Sequence, residues 1–236
     1  FLIDWLNSSV RVALHNFDEE TVYYAALLGC MEGIRSGTTT ILDYMYAHPI
    51  AGLDDCVTQA FEDIGIRGVL GPDFIAVHCV YMKDEDLDTF KKYDVKVSHN
   101  PNSNMVLASG VARIPEMLEK GITVSLACDG SASNDTQNML EVIKAASLMQ
   151  KVHHCNPSLM PASTVLELAT LGGARTLGRE SELGSVEAGK KADFILFDRL
   201  SPWSAPVYDP VSTLTYACSP DNIKAVVIDG KVVMEN

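Results

Sequence analysis

Apolar residues along this chain alternate between two spacings, and the alternation predicts strands that are each followed by a helix. The segment 52–65 has apolar positions at helical spacing, whereas 37–46, rich in β-branched and aromatic residues, is typical of a strand. The same reasoning predicts further strands at 66–71, 73–80, 95–99 and 122–128, and further helices at 84–93, 110–121 and 136–152. Mostly apolar strands that alternate with helices indicate a parallel sheet covered on both faces, either a barrel or a doubly wound sheet.

One junction departs from this pattern. Only Gly71 and Pro72 separate IRGVL from DFIAVHC, although parallel neighbours need a crossover of about a dozen residues or more. Two explanations are open: a single antiparallel hairpin, or a segment near 71–73 that the printed sequence lacks. We favour the second, because a Gly-Pro pair suits none of the favoured hairpin turns and five barrel-type strands are too few to close a barrel.

The last third of the chain has a different texture. A helix pair is predicted at 160–178, and short strands with turns follow over 184–200. The chain ends in a predicted hairpin over 223–236, with Asp229-Gly230 as its two-residue turn. The proline-rich stretch between these strands and the hairpin is expected to run irregularly back over the larger part of the molecule.

Composition and charge narrow the possible functions. With 236 residues, 47% of them hydrophobic, the chain can bury a sizeable core. Its formal net charge of −13 argues against nucleic acid or an anionic membrane surface as a partner. Six scattered cysteines without a CxxC pair are typical of reduced thiols in a cytoplasmic protein. We find neither a signal peptide nor an apolar run long enough to span a membrane.

Polar residues stand where three of the predicted strands end. His78 ends one strand, the group His99, Asn100 and Asn104 follows the next, and Asp129 follows the third. Because the carboxyl ends of parallel strands lie on one rim, these strands would bring two imidazoles and a carboxylate to one crevice. Such nitrogen and oxygen ligands suit a divalent metal, zinc or iron(II), which lowers the pKa of a bound water.

Each of these residues also has a simpler interpretation. An isolated histidine such as His78 is more often a hydrogen-bonded core residue, and His99 followed by Asn100-Pro101 is equally typical of a turn. Asp129 is as well suited to cap the helix that follows it. The functional hypothesis therefore depends on the convergence of the three strand ends, and three scattered residues do not complete a catalytic metal site.

A resemblance adds to this picture. The chain resembles the amidohydrolase superfamily, specifically its branch of aminohydrolases and chlorohydrolases. The segments that carry the resemblance are YYAALLGCMEGIRSGTTTILDYMYAHP, AVHCVYM, VSHNPNSNMVLASGVARIPEMLEKGITVSLACDGSASND, LELATLGGARTLG and LGSVEAGKKADFILFD. That branch includes cytosine, guanine and 8-oxoguanine deaminases and triazine hydrolases. The resemblance implies an α/β fold, a (β/α)8 TIM-type barrel with a small β-sandwich domain. Residues 1–182 would then be the metal-dependent hydrolase barrel, and 183–236 the C-terminal part of the sandwich with the return segment.

The resemblance also implies residue roles. Asp129 matches the strand-eight aspartate that binds one divalent metal ion, zinc or iron(II), and accepts a proton from the attacking water. His78 matches the strand-six histidine that orients this water or the substrate, so both residues are catalytic candidates. The substrate-binding candidates are His99, Asn100 and Asn104, which lie in the strand-seven segment at the pocket wall.

The implied activity is hydrolysis of a non-peptide carbon–nitrogen bond, with deamination of a purine-, pterin- or triazine-like ring. Dechlorination of such a ring is the alternative, since chloride can leave by the same chemistry. DGSASND resembles the triazine, pterin and oxopurine members more than the adenosyl-type deaminases. We further expect a cytoplasmic homo-oligomer with a small-molecule heterocyclic substrate and no nucleic-acid or membrane partner.

Two family motifs have no match in the printed sequence. These are the His-x-His pair of strand one and the His-x-x-Glu of strand five, which supply three metal ligands and the proton shuttle. We expect them before Phe1 and between Gly71 and Asp73, where the strand pattern already indicates absent residues. The competing hypothesis is a catalytically inactive scaffold. Against it, deleted strands would leave open sheet edges, which proteins avoid.

Overall fold

The structure is a computed structural model that describes residues 4, 6–44, 50–70, 75–202 and 204–236. Helices and parallel strands alternate over most of this part of the chain, and the last three strands form an antiparallel sheet. The predicted α/β class is therefore confirmed. None of the helices in these ranges combines the length and the apolar character needed to cross a membrane.

The helices and strands have the following bounds. The helices are α1 (Arg11–Leu14), α2 (Glu19–Arg35), α3 (Leu53–Ile64), α4 (Asp84–Lys92), α5 (Pro101–Val106), α6 (Ile114–Glu119), α7 (Ser131–Asn134), α8 (Met139–His153), α9 (Ala162–Glu167), α10 (Gly173–Thr176) and α11 (Pro210–Tyr216). The strands are β1 (Thr40–Asp43), β2 (Arg67–Leu70), β3 (Ile75–Val77), β4 (Lys96–His99), β5 (Val124–Leu126), β6 (Phe194–Phe197), β7 (Ile223–Ile228) and β8 (Lys231–Glu235). Short π-helical turns cover Leu6–Val10 and Leu168–Gly172, and a 3-10 turn covers Pro220–Asn222.

Five parallel strands lie in two sheets. β1 pairs with β2, and β4 pairs with β3 on one side and β5 on the other, all in parallel. Because β2 and β3 belong to different sheets, the antiparallel hairpin that was one explanation of the junction between them is wrong. The absent segment expected near 71–73 falls on residues 71–74, which lie outside the described residues.

The C-terminal sheet confirms the predicted hairpin. β7 and β8 pair in antiparallel fashion around Asp229-Gly230, and β6 pairs with the other edge of β7. The irregular stretch predicted before the hairpin contains a helix instead, α11. Pro210 occupies its first turn, where no backbone donor is needed, and the carboxylate of Asp209 accepts hydrogen bonds from two backbone N–H groups. Within this proline-rich stretch, Pro210 therefore starts a helix and does not mark irregular chain.

Two apolar clusters fill the interior. One surrounds the sheet of β3, β4 and β5, and its fully buried members include Leu87, Val97, Met117 and Val142. The other joins α2 and α3 to the C-terminal sheet, and its most buried members include Leu53, Val57, Ile223 and Val226. The C-terminal sheet therefore shares a core with the first helices.

A buried ion pair strengthens this connection. The Arg67 guanidinium of β2 donates two hydrogen bonds to the Asp193 carboxylate, one from Nη1 to Oδ2 and one of 3.1 Å from Nη2 to Oδ1. The two side chains are only 10% and 9% exposed. Asp193 Oδ1 also accepts a hydrogen bond of 2.8 Å from the backbone N–H of Asp229 in the hairpin turn. One carboxylate thus holds β2 against the C-terminal sheet.

Two adjacent glycines, at the junction of the π-helical turn Leu168–Gly172 and α10, give a matched pair of stability predictions. A Cβ on Gly172 would stand 2.6 Å from the carbonyl oxygen of Val124 in β5, whereas one on Gly173 would meet nothing within 4 Å. Gly172→Ala should lower the free energy of unfolding by about 1–3 kcal/mol through overpacking. Gly173→Ala should raise it by about 0.5–1 kcal/mol, because glycine inside a helix is entropically unfavourable. Urea denaturation of both variants measures this, and changes of the same sign would contradict the close approach.

Candidate active site

His78 lies directly after β3, at the carboxyl end of the parallel sheet. Its backbone N–H donates to the carbonyl oxygen of Ser98 in β4 at 3.0 Å, which continues the pairing one residue beyond the strand. The backbone then turns, since His78 and Cys79 have φ values of 66° and 49°. This left-handed region is uncommon for residues other than glycine, and such conformations cluster at functional sites.

Asp129 lies three residues beyond the end of β5, at the same carboxyl edge of the sheet. Its φ is 65°, a conformation that aspartate adopts more readily than most residues. The carboxylate Oδ1 accepts a hydrogen bond of 2.8 Å from the backbone N–H of Gly130. The side chain of Gln137 donates to the carbonyl oxygen of Asp129, also at 2.8 Å. The turn thus holds Oδ1, while the other carboxylate oxygen, Oδ2, faces the imidazole of His78.

The two strand ends meet. His78 Nε2 lies 3.5 Å from Asp129 Oδ2, and the side chains are 38% and 28% exposed. β4 separates their strands, so the left-handed turns after β3 and β5 are what bring the imidazole to the carboxylate. An imidazole beside a carboxylate, with one side open to solvent, can exchange protons with a bound molecule.

The residues that follow β4 are buried instead. His99, Asn100 and Asn104 are 0%, 2% and 1% exposed. Neither ring nitrogen of His99 has a hydrogen-bond partner among the described residues. Burial first, and the neighbouring His78 second, lower the pKa of His99 to about 3, so this imidazole is neutral at neutral pH. The three substrate-binding candidates are therefore buried, whereas His78 and Asp129 are partly exposed.

The segment read as a turn or pocket wall is a short helix, α5. Pro101 stands in its first turn, where proline is favoured, and the backbone N–H of Asn104 donates to the carbonyl oxygen of Asn100 at 3.0 Å. This turn of helix places Asn104 Oδ1 2.8 Å from His78 Nδ1. The Asn-Pro pair is also a helix-start signal, which our turn interpretation overlooked.

Gln137 is a site residue that sequence reasoning missed. Besides Asp129, its amide donates to the hydroxyl of Ser131 at 3.3 Å, so it closes the loop that carries the carboxylate. No local pattern indicates this role, because it depends on how residues 129–137 fold back on themselves.

The described residues supply two candidate ligands for a divalent metal, His78 and Asp129. A catalytic zinc site takes about three protein ligands, and within the described ranges no group of three or more His, Cys, Asp or Glu side chains could hold an ion. The neighbouring thiols of Cys79 and Cys128 belong to no such group of described residues, and burial raises the pKa of Cys79 to about 11 and that of Cys128 to about 12. By themselves, the described residues do not fit a complete zinc site.

Comparison with known proteins decides the family. The model of the amidohydrolase family matches residues 61–233, which is most of the chain. The chain belongs to the amidohydrolase family. The resemblance found in the sequence motifs is therefore confirmed for this amidohydrolase chain.

Two curated relatives extend the comparison. The 5'-deoxyadenosine deaminase of Methanosarcina acetivorans is 45% identical over 181 residues, which cover 77% of this chain but 41% of that protein. The 5-methylthioadenosine/S-adenosylhomocysteine deaminase of Syntrophobacter fumaroxidans is 31% identical over 327 residues, covering 100% of this chain and 75% of that protein. This amidohydrolase chain thus spans well under half the length of the first relative.

A solved structure shares the fold. The zinc-bound adenosine deaminase from Xanthomonas campestris matches with a TM-score of 0.89 and 20% identity, over 98% of this chain and 74% of that one. At this identity the match shows the fold alone.

Proposed function

We propose that this amidohydrolase chain is part of an enzyme that deaminates an adenosine-like compound by hydrolysis. The observation that carries the proposal is the pairing of His78 with Asp129 at the ends of parallel strands. The 45% identity to a 5'-deoxyadenosine deaminase supports the same reaction. The relatives favour an adenine ring over the triazine, pterin or oxopurine rings that DGSASND had indicated.

Asp129 is the proposed base of the reaction. Its Oδ2 lies 3.5 Å from His78 Nε2 in a pair that is partly open to solvent, and we place the attacking water beside these two atoms. The oxygen of this water adds to the ring carbon that carries the amino group, Asp129 takes its proton, and His78 holds the added oxygen. The electron pair of the attacked C=N bond moves onto the ring nitrogen, which receives the proton from Asp129. The proton of the added hydroxyl then passes through Asp129 to the amino group, so that a carbonyl forms, the carbon–nitrogen bond breaks and ammonia leaves.

We propose that the intact protein, meaning the product of the complete gene, has additional residues between β2 and β3. The alignment with the Syntrophobacter relative covers all of this chain but runs over 327 residues, against 236 here. The separate sheets of β2 and β3 support an insertion at this point. The intact fold would be a (β/α)8 barrel, to which 1–182 contribute, with a β-sandwich that includes 183–236.

The metal belongs to this wider proposal. We propose one divalent ion, zinc or iron(II), with Asp129 as one ligand and further ligands from polypeptide that the printed sequence lacks. The two candidate ligands among the described residues are too few for a catalytic site, which supports ligands from elsewhere.

A cytoplasmic homo-oligomer remains our expectation for the intact protein. All six cysteines are free thiols, in keeping with a reducing compartment. Size-exclusion chromatography with light scattering would give the number of subunits.

Mass and metal content test the insertion and the metal together. The printed residues have a mass of 25.6 kDa, and we expect the intact protein to be heavier and to hold about one zinc ion per chain after reconstitution. The 236-residue polypeptide made on its own should lose its zinc on dialysis. An intact mass of 25.6 kDa without bound metal would favour the scaffold, and the same mass with retained zinc would refute the proposed missing ligands.

Activity is tested by release of ammonia from 5'-deoxyadenosine, followed by the change in adenine absorbance. A chlorinated triazine, assayed for chloride, is the parallel substrate for the dechlorinase alternative. Release of ammonia supports the proposal. Release of chloride without release of ammonia would instead assign dechlorination to the protein. If the metal-loaded intact protein turns over neither substrate, the proposal of an adenosine-like substrate is rejected.

A further inference from the structure

Asn104 has a geometry that the proposed reaction does not explain. Its side chain is 1% exposed, and its Oδ1 lies 2.8 Å from His78 Nδ1. The hydrogen bonds of its backbone, from Asn104 N–H to Asn100 and from Ser109 N–H to Asn104, fix the residue at both ends. Asn104 is therefore buried and fixed in place, and its side chain contacts His78 from inside the protein and not from the solvent-exposed side.

The contact favours one position for the proton of His78. The Asn104 amide turns its oxygen toward the ring and its Nδ2 has no hydrogen-bond partner among the described residues. Because an amide oxygen only accepts hydrogen bonds, the neutral ring in this arrangement carries its proton on Nδ1. Nε2 then presents a lone pair toward Asp129 Oδ2, 3.5 Å away. Two acceptors therefore lie side by side in a pair that is partly open to solvent, where a water molecule can donate a hydrogen to either of them.

We propose that Asn104 is a positioning residue that holds His78 in the Nδ1–H form, so that Nε2 and Asp129 together present two acceptors to the attacking water. The role of the water as the attacking species rests on the proposed function. The tautomer of His78 rests on the hydrogen bond with Asn104. The proposal assigns Asn104 an action through His78, in place of the direct substrate contact expected from its position after β4.

The tautomer can be observed without any activity. Long-range proton–nitrogen correlation spectra of the 236-residue polypeptide should show His78 with its proton on Nδ1. Asn104→Ala should shift the ring toward the Nε2–H form, and Asn104→Asp should keep Nδ1–H, because a carboxylate oxygen replaces the amide oxygen. A wild-type His78 protonated on Nε2 would overturn the proposal.

Kinetics of the intact protein give a second, independent readout. Loss of an outer partner of a site histidine commonly costs about 10–100-fold in activity. We expect Asn104→Ala to lower kcat by about this factor with KM nearly unchanged, and Asn104→Asp to recover most of the loss. A raised KM with unchanged kcat would instead mean that Asn104 contacts the substrate, and would overturn the proposal.

Asn102 provides the matched control. It lies in the same short helix, and its Oδ1 has no hydrogen-bond partner among the described residues. Asn102→Ala should leave both kcat and the His78 tautomer unchanged. An equal loss of kcat in the two alanine variants would indicate a general effect on α5 and would overturn the positioning role.

The two proposals fail in distinguishable ways. If His78 carries its proton on Nδ1 and loses that preference in Asn104→Ala, the positioning role stands even where no deaminase activity is found. If the intact protein deaminates 5'-deoxyadenosine but Asn104→Ala behaves like Asn102→Ala, the deaminase stands and the positioning role falls.

Discussion

Asp129→Asn is expected to lower the kcat of the intact protein by about 10²–10⁴-fold, the range that a general base contributes. The substitution keeps the size of the side chain, the oxygen that accepts from Gly130, and a residue type that tolerates the left-handed backbone at φ 65°. It removes the negative charge and the capacity to take a proton. Because Asp129 is also a proposed metal ligand, the zinc content of the variant is measured alongside kcat. A large loss with retained fold and retained zinc therefore reports the loss of the base.

Asp135→Asn is the matched control for this measurement. Asp135 also has a left-handed backbone, with φ 60°, and it ends the short helix α7, which begins two residues after Asp129. Its side chain is exposed and stands outside the proposed site. We expect kcat of this variant to match the wild type within experimental error. If Asp129→Asn and Asp135→Asn retain equal activity in a protein with bound metal, Asp129 is not the base.

Asp193→Asn is expected to lower the free energy of unfolding by about 3 kcal/mol or more, because it removes the carboxylate in direct contact with a largely buried arginine. Arg67 is 10% exposed and receives both of its carboxylate contacts from Asp193. Desolvation of the guanidinium persists in the variant, while the ionic attraction is lost. Urea denaturation, with the slope compared between variants, measures the change.

The surface pair of Lys191 with Asp229 provides the comparison. Their charged groups lie 3.4 Å apart, but the side chains are 34% and 58% exposed. Exposed pairs contribute about 0–1 kcal/mol, so Asp229→Asn should have a small effect. If Asp193→Asn and Asp229→Asn lower the free energy of unfolding equally, burial does not make the Arg67–Asp193 pair more stabilising than an exposed pair. Replacing both Arg67 and Asp193 by apolar residues should recover much of the loss.

The spacing of apolar residues was enough to predict the existence and type of most elements. The helix predicted at 84–93 is Asp84–Lys92, and the hairpin predicted at the C-terminal end forms around Asp229-Gly230. Bounds were less accurate, since the strand predicted at 122–128 is Val124–Leu126. Strand ends depend on where a neighbour stops pairing, which a local pattern does not contain.

The predicted secondary structure differs from the observed one mainly at prolines. Pro101 and Pro210 each stand in the first turn of a helix, where sequence reasoning had expected a turn or irregular chain. Proline lacks a backbone N–H and has a restricted φ, which suits a turn and a helix start equally. Only the following residues and their packing distinguish the two.

The sequence by itself determined the alternation of strands and helices, the amidohydrolase family, and the choice of His78 and Asp129 as the central pair. These follow from side-chain spacing and from motifs that are read along the chain. The tertiary structure decided that β2 and β3 lie in separate sheets, that Arg67 meets a carboxylate 126 residues away, and that Asn104 holds His78. The physical reason is that pairing, burial and hydrogen bonds between distant residues arise only when the whole chain packs.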